Sequence, residues 1–122
     1  MNTPTSVYPP AIADKCVELL CSRYRSLQHP TERLTTARFL MMQGCVELRG
    51  GRGWKSARFA VMSPDTPRFY YAVDLRSETC TCADFLRYQR PCTHLYAVVL
   101  TLFAWRRFGF NPRIEASKAR AK

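Results

Sequence analysis

Three cysteines and one histidine stand close together in this chain. They read Cys80-x-Cys82, nine intervening residues, then Cys92-x-His94. No other feature limits the fold so tightly, because three thiols and one imidazole in two close pairs make a complete ligand set for one tetrahedral zinc ion. The spacing has a geometric basis. Residues i and i+2 project to the same side of an extended chain. Cys80 and Cys82 can therefore offer both sulfurs from a strand end or from the turn after it. On a helix the same two positions diverge by roughly 200°. Cys92 is thus expected just outside a helix and His94 in its first turn. Pro91 disfavours helix immediately before it, and Thr93 suits the N-cap. A Cys80–Cys82 disulfide would close a small, strained ring. Unrelated buried thiols and an iron–sulfur cluster also accommodate these residue types. A structural zinc, with four protein ligands and no open position for water, fits the pattern best.

The same residues resemble a known family, since C-x-C-x(n)-C-x-H is the signature of the SWIM-type zinc finger. Residues 68–75 (Arg-Phe-Tyr-Tyr-Ala-Val-Asp-Leu) are similar to the strand that precedes the family's first cysteine pair. Thr79-Cys80-Thr81-Cys82-Ala83-Asp84-Phe85 resembles its first ligand segment, and the run from Pro91 to Val99 resembles its helix start. Ala83 stands where the family often has proline and Thr93 where it often has lysine; neither is a ligand. The resemblance spans roughly residues 57–103. It implies a ββα unit that binds DNA or protein partners. Such domains occur beside transposases, chromatin-remodelling ATPases, kinase-related ubiquitin ligases and recombination mediators.

The expected fold class is α+β: a small zinc-stabilised ββα unit with a short antiparallel sheet, packed against two N-terminal helices. At 122 residues the chain suits one domain. It divides into an extended lead (1–10), a helical pair (11–44), the zinc finger (45–108) and a basic tail (109–122). Pro9-Pro10 opens the first helix, with Ile12, Cys16, Leu19, Leu20 and Leu27 near helical spacing. His29-Pro30 breaks it. Thr31 caps a second helix that carries Leu34, Ala37, Phe39, Leu40 and Met41 and stops at Gly44. Strands are expected over Cys45–Arg49, Arg58–Ser63 and Arg68–Leu75, with a turn at Pro64–Pro67. Phe85 and Leu86 are expected to cover the metal. The helix from Thr93 to about Phe108 is apolar nearly all round, which marks a buried helix. Its outer side needs a cover, and the N-terminal helices are preferred to another chain. Cys16, Cys21 and His29 read as core or loop residues rather than extra ligands.

Charge narrows the partners. The net charge is +10. Residues 51–122 carry thirteen basic and five acidic side chains, whereas residues 1–50 are nearly balanced. The excess is mostly arginine, which binds phosphate bidentately, so nucleic acid is preferred over an acidic protein. Arg52, Trp54, Lys55 and Arg58 mark a glycine-rich hairpin tip. It reads either as a phosphate contact with a stacking indole or as a solvated turn with Trp54 folded back on the sheet. Arg87, Arg90, Arg106 and Arg107 are the other candidate contacts. A Walker loop, H-E-x-x-H, the deaminase H-x-E with P-C-x-x-C, and paired catalytic carboxylates are not recognisable, so the chain does not read as an enzyme.

The function expected is therefore a non-catalytic accessory protein that binds nucleic acid, DNA more than RNA, and works with a larger protein partner. The alternative is an adaptor that docks on a transposase, helicase, nuclease or recombinase without touching nucleic acid. Neither a membrane nor a small-molecule substrate is expected. The thiol-rich site and the lack of a signal-like run in residues 1–10 point to a reducing compartment: cytoplasmic or nucleoid-associated, or nuclear in a eukaryote.

Overall fold

The computed structural model describes residues 8–23, 31–51, 56–114 and 120–121. Its elements are α1 (Pro10–Arg23), α2 (Thr31–Met42), β1 (Val46–Gly50), β2 (Arg58–Ser63), β3 (Thr66–Asp74), β4 (Thr79–Cys80), α3 (Ala83–Tyr88), α4 (Thr93–Phe108), β5 (Arg113–Ile114) and β6 (Arg120–Ala121). This is the α+β class expected. The His29-Pro30 break and the hairpin tip with Arg52, Trp54 and Lys55 lie outside the described residues.

α1 begins at Pro10, where a missing N–H costs nothing. It buries Ala13, Cys16 and Leu20 completely. Leu19 is half-buried and Cys21 exposed, so the core takes a narrower stripe than the apolar residues suggest. α2 buries Leu34, Ala37, Leu40 and Met41. Phe39, expected inside, is 50% exposed, because it lies about 200° round the helix from both Ala37 and Met41. Gly44 ends the helix at φ 71°. Its N–H donates to the Met41 carbonyl (3.1 Å) and the Cys45 N–H donates to the Leu40 carbonyl (3.0 Å), the paired bonds of a Schellman motif.

β1 to β4 pair antiparallel in the order β4-β3-β2-β1. The turn between β2 and β3 is tighter than expected. Ser63 already pairs with Thr66, leaving Pro64 and Asp65 as the turn. Pro67 is accommodated within β3 because the register shifts between Met62 and Ser63, at an interruption in the ladder. The basic tail also contributes to the sheet. β5 pairs parallel with β1, and β6 pairs parallel with β3 beside the stretch that β4 leaves open. Two sheet edges that would otherwise offer unpaired backbone groups are thereby partly covered.

Phe59, Val61 and Val73 are buried against the helices. The opposite face is buried at its middle too, where Glu47 and Ala60 are fully enclosed. Arg49 meets the Glu47 carboxylate at 3.2 Å and lays its guanidinium over the Tyr70 ring, 4.4 Å from the centroid. α4 lies between the sheet and the pair α1–α2, the cover preferred from sequence. One hydrophobic cluster joins all of these elements. Tyr8, in the expected lead, enters this cluster and meets Phe110 edge-on at 6.1 Å. Burial, with Cys16 adding, pushes its phenol up to about 12, against a hydrogen bond with Thr101. Among the described residues no helix is long and apolar enough to cross a membrane.

Leu100 is fully buried on α4. Leu100→Ala should lower stability by about 2–5 kcal/mol in urea titrations of the zinc-loaded protein. Gly51 and Gly109 both hold positive φ, but of the two only Gly51 would drive a Cβ into backbone, against the Ser56 carbonyl oxygen. Gly109→Ala should cost about 1–2 kcal/mol, and Gly51→Ala should cost more in the same titration.

Candidate metal centre

The four ligands reach one point because three elements end there. Cys80 pairs with Val73 at the end of β4. The Thr81 N–H then donates to the Ala72 carbonyl (3.1 Å), and the Ala72 N–H donates to Thr81 Oγ1 (3.0 Å). The sheet thus holds the first cysteine pair in place up to Thr81. Cys82 is extended (φ −74°, ψ 156°) and is the N-cap of α3, its sulfur accepting the Phe85 N–H at 3.4 Å. Cys92 does the same for α4, accepting the Leu95 N–H at 3.5 Å. The expectation of Thr93 as N-cap is corrected here. Thr93 is the first helical residue, and a sulfur takes the capping role. A thiolate is favoured at that position because the helix N-terminus presents unpaired N–H groups and partial positive charge.

His94 lies in the first turn of α4, with Nδ1 3.9 Å from Cys92 Sγ. One ligand atom from each of Cys80, Cys82, Cys92 and His94 lies within 4.8 Å of the others. A tetrahedral zinc with ordinary bond lengths needs its donors about 3.5–3.8 Å apart, so the side chains need only a slight contraction to hold it. The three cysteines are buried and His94 is half-buried. The Tyr71 ring packs on the imidazole with centroids 4.6 Å apart. The donor set and the spacing both fit one structural zinc, which supplies a cross-link between sheet and helices. Among the described residues this is the one such cluster of His, Cys, Asp and Glu.

The thiols titrate as a linked group. A hydrogen bond from Cys80 pulls the Cys92 thiol down to about 4 against burial, with His94 and the Leu95 N–H assisting. The same hydrogen bond, followed by burial, pushes Cys80 up. Burial pushes Cys82 up, opposed by the Phe85 N–H. Cys16, outside the cluster, is pushed up to about 11 by burial and behaves as a core thiol.

Phe85 is buried beside the site, as expected, but Leu86 is 61% exposed. It lies about 100° further round α3, which can aim only one of two adjacent residues inward. Two contacts had no sequence signal beyond opposite charge or shared face. Arg33 of α2 grips Asp84 of α3, with Nη2 3.2 Å from both carboxylate oxygens, and Tyr71 stacks on His94.

The described candidate basic contacts fall on three parts of the fold. Arg58 pairs across strands with Asp74, and Asp74 with Thr79, beside the first ligand. Arg87 and Arg90 are exposed on and after α3. Arg87 and Arg90 thus stand on the insert between the ligand pairs, whereas the Arg58 guanidinium lies beside Gly50 of β1. Arg106 and Arg107 are exposed in the last turn of α4. That helix has 16 residues, and places them about 20 Å further along. Sequence reading also passed over Tyr88, which is 51% exposed between the two arginines. Its signal was an aromatic flanked by arginine in an insert with no apolar periodicity.

Elemental analysis should find one zinc per chain. Cys92→Ser and His94→Ala should each cost several kcal/mol, because a structural zinc contributes about 10–16 kcal/mol through its ligands. Circular dichroism melts unchanged in both variants would contradict this. Zinc must displace the protons that Cys80 and Cys82 retain when their thiols are pushed up. Affinity should therefore rise with pH through neutrality and fall as pH is lowered, which competition with a chromogenic chelator can measure.

No curated protein and no solved structure matches the chain. The family model described as SWIM zinc finger matches residues 70–103. That span contains the two helix-capping cysteines, Cys80 at the strand end and His94, all of them in the cluster just described. Residues 70–103 are therefore a SWIM zinc finger built on one structural zinc site.

Proposed function

We propose that this zinc-binding module is a non-catalytic accessory protein that binds nucleic acid through a basic surface, DNA in preference to RNA, within a larger protein assembly. The observation that carries this reading is a set of exposed arginines on and around the zinc unit. Arg58 opens β2, Arg76 occupies the turn between β3 and β4, and Arg87 and Arg90 lie on the insert between the ligand pairs. The chain as a whole carries +10. Guanidinium groups match phosphate oxygens bidentately. Zinc acts by fixing the scaffold on which they stand. These arginines contact the backbone of the polymer, and α4, the long helix of the unit, is enclosed by protein and offers no face for reading base edges. Arg106 and Arg107 then engage only a strand long enough to reach the far end of α4.

A second reading is an adaptor that docks on a larger protein; α4 is covered within the chain by α1, α2 and the sheet and so offers such a partner little apolar surface. What favours it is Leu86, 61% exposed on α3.

Arg87→Glu with Arg90→Glu should weaken binding about tenfold or more in gel shifts. The double variant should also lower the slope of log affinity against log salt by about two. Zinc content and melting should not change, as both side chains are exposed. Unchanged affinity would remove this surface from the site. Binding to a protein partner that ignores salt, with no nucleic-acid shift, would favour the adaptor.

A further inference from the structure

Tyr88 is a large aromatic side chain that the core does not use. It is the last residue of α3 and is 51% exposed. The Arg87 guanidinium lies 5.3 Å from its ring centroid and that of Arg90 lies 4.8 Å away. Gln89 between them adopts the left-handed conformation, φ 54° and ψ 39°, which ends the helix. Arg90, two residues on from the ring, thus lies over it. The insert is pinned at both ends by metal ligands, Cys82 before it and Cys92 after it. A pinned loop loses little freedom when a ligand lands on it.

Resting on the nucleic-acid reading above, we propose that Tyr88 is a stacking platform for an unpaired base, so that this surface takes single-stranded nucleic acid. Every base has a π-face, so stacking on an aromatic is strong and tolerant of sequence. A contact between a cation and an exposed ring is the weaker of the two interactions. An arriving base can therefore take a ring face from one guanidinium, and the released arginine is left beside the phosphate of the same strand. Inside a duplex the base faces are already stacked on one another. A duplex then meets only the arginines, and its binding does not involve the ring. The shared chemistry of base and phosphate covers single-stranded DNA and RNA alike.

The test uses the zinc-loaded full chain and measures fluorescence anisotropy with labelled oligo(dT), oligo(U) and a duplex of equal length at one salt concentration. The parent should bind at least one single strand more tightly than the duplex. Tyr88→Ala and Tyr88→Leu should weaken that binding about tenfold or more, and leave duplex binding unchanged. Tyr88→Phe should retain it, since the ring remains. All three should keep parental zinc content and melting. If the Ala and Leu variants bind single strands like the parent, or lose single strand and duplex equally, stacking is overturned while the phosphate-binding reading stands. Loss of zinc in these variants would also overturn it, by making the ring structural. A parent that binds none of the three probes at low salt would overturn both readings.

Discussion

Two helices in this protein begin at a cysteine sulfur, and both sulfurs face the same cluster. Cys82 accepts a backbone N–H from the first turn of α3, and Cys92 accepts one from the first turn of α4. A metal thiolate keeps enough negative charge to complement a helix N-terminus, and the hydrogen bonds in turn fix the direction of each sulfur. Cys80 is held by its pairing with β3, and His94 by its place on α4. The zinc site therefore joins the sheet, the short helix and the long helix at one point. Without the metal, these three elements would bring three buried thiols together with only hydrogen bonds among them.

The rest of the fold makes that junction rigid. α4 runs away from the zinc between the sheet on one side and α1 and α2 on the other. The SWIM unit could not enclose so apolar a helix with its own residues. The N-terminal helices complete the core that a short zinc-bound ββα unit lacks. Arg33 and Asp84 add a direct tie from α2 to the insert between the ligand pairs. Both side chains are about one-third exposed, so this ion pair contributes less to stability than to the orientation of α3.

Much of this was legible in the chain. The ligand set could be read because zinc imposes both residue type and spacing, and the alternation i, i+2 has meaning only at a strand end or a helix start. The long helix Thr93–Phe108 was bounded correctly by Pro91 before it and Gly109 after it. Strand β2 was legible from its run of apolar residues between turn signals. Less legible were single positions whose burial depends on azimuth. Phe39 and Leu86 are as apolar as their neighbours and still face water, while the acidic Glu47 is wholly enclosed.

Local chemistry and short-range geometry along the chain were enough to indicate a zinc site, its four ligands, the α+β class and the basic character of the C-terminal half. Where each arginine stands was settled by packing and by the path of the chain. The Arg58 guanidinium lies beside Gly50 of β1, and Arg106 and Arg107 are carried away from the zinc site by the length of α4. The tertiary structure also decided that residues 113–114 and 120–121 join the sheet, and that Tyr88 remains in solvent beside two guanidinium groups. Contacts of this kind join residues distant in the chain or select one side of a short helix. Neither is encoded in the spacing of neighbouring residues, and each depends on how the enclosed elements pack.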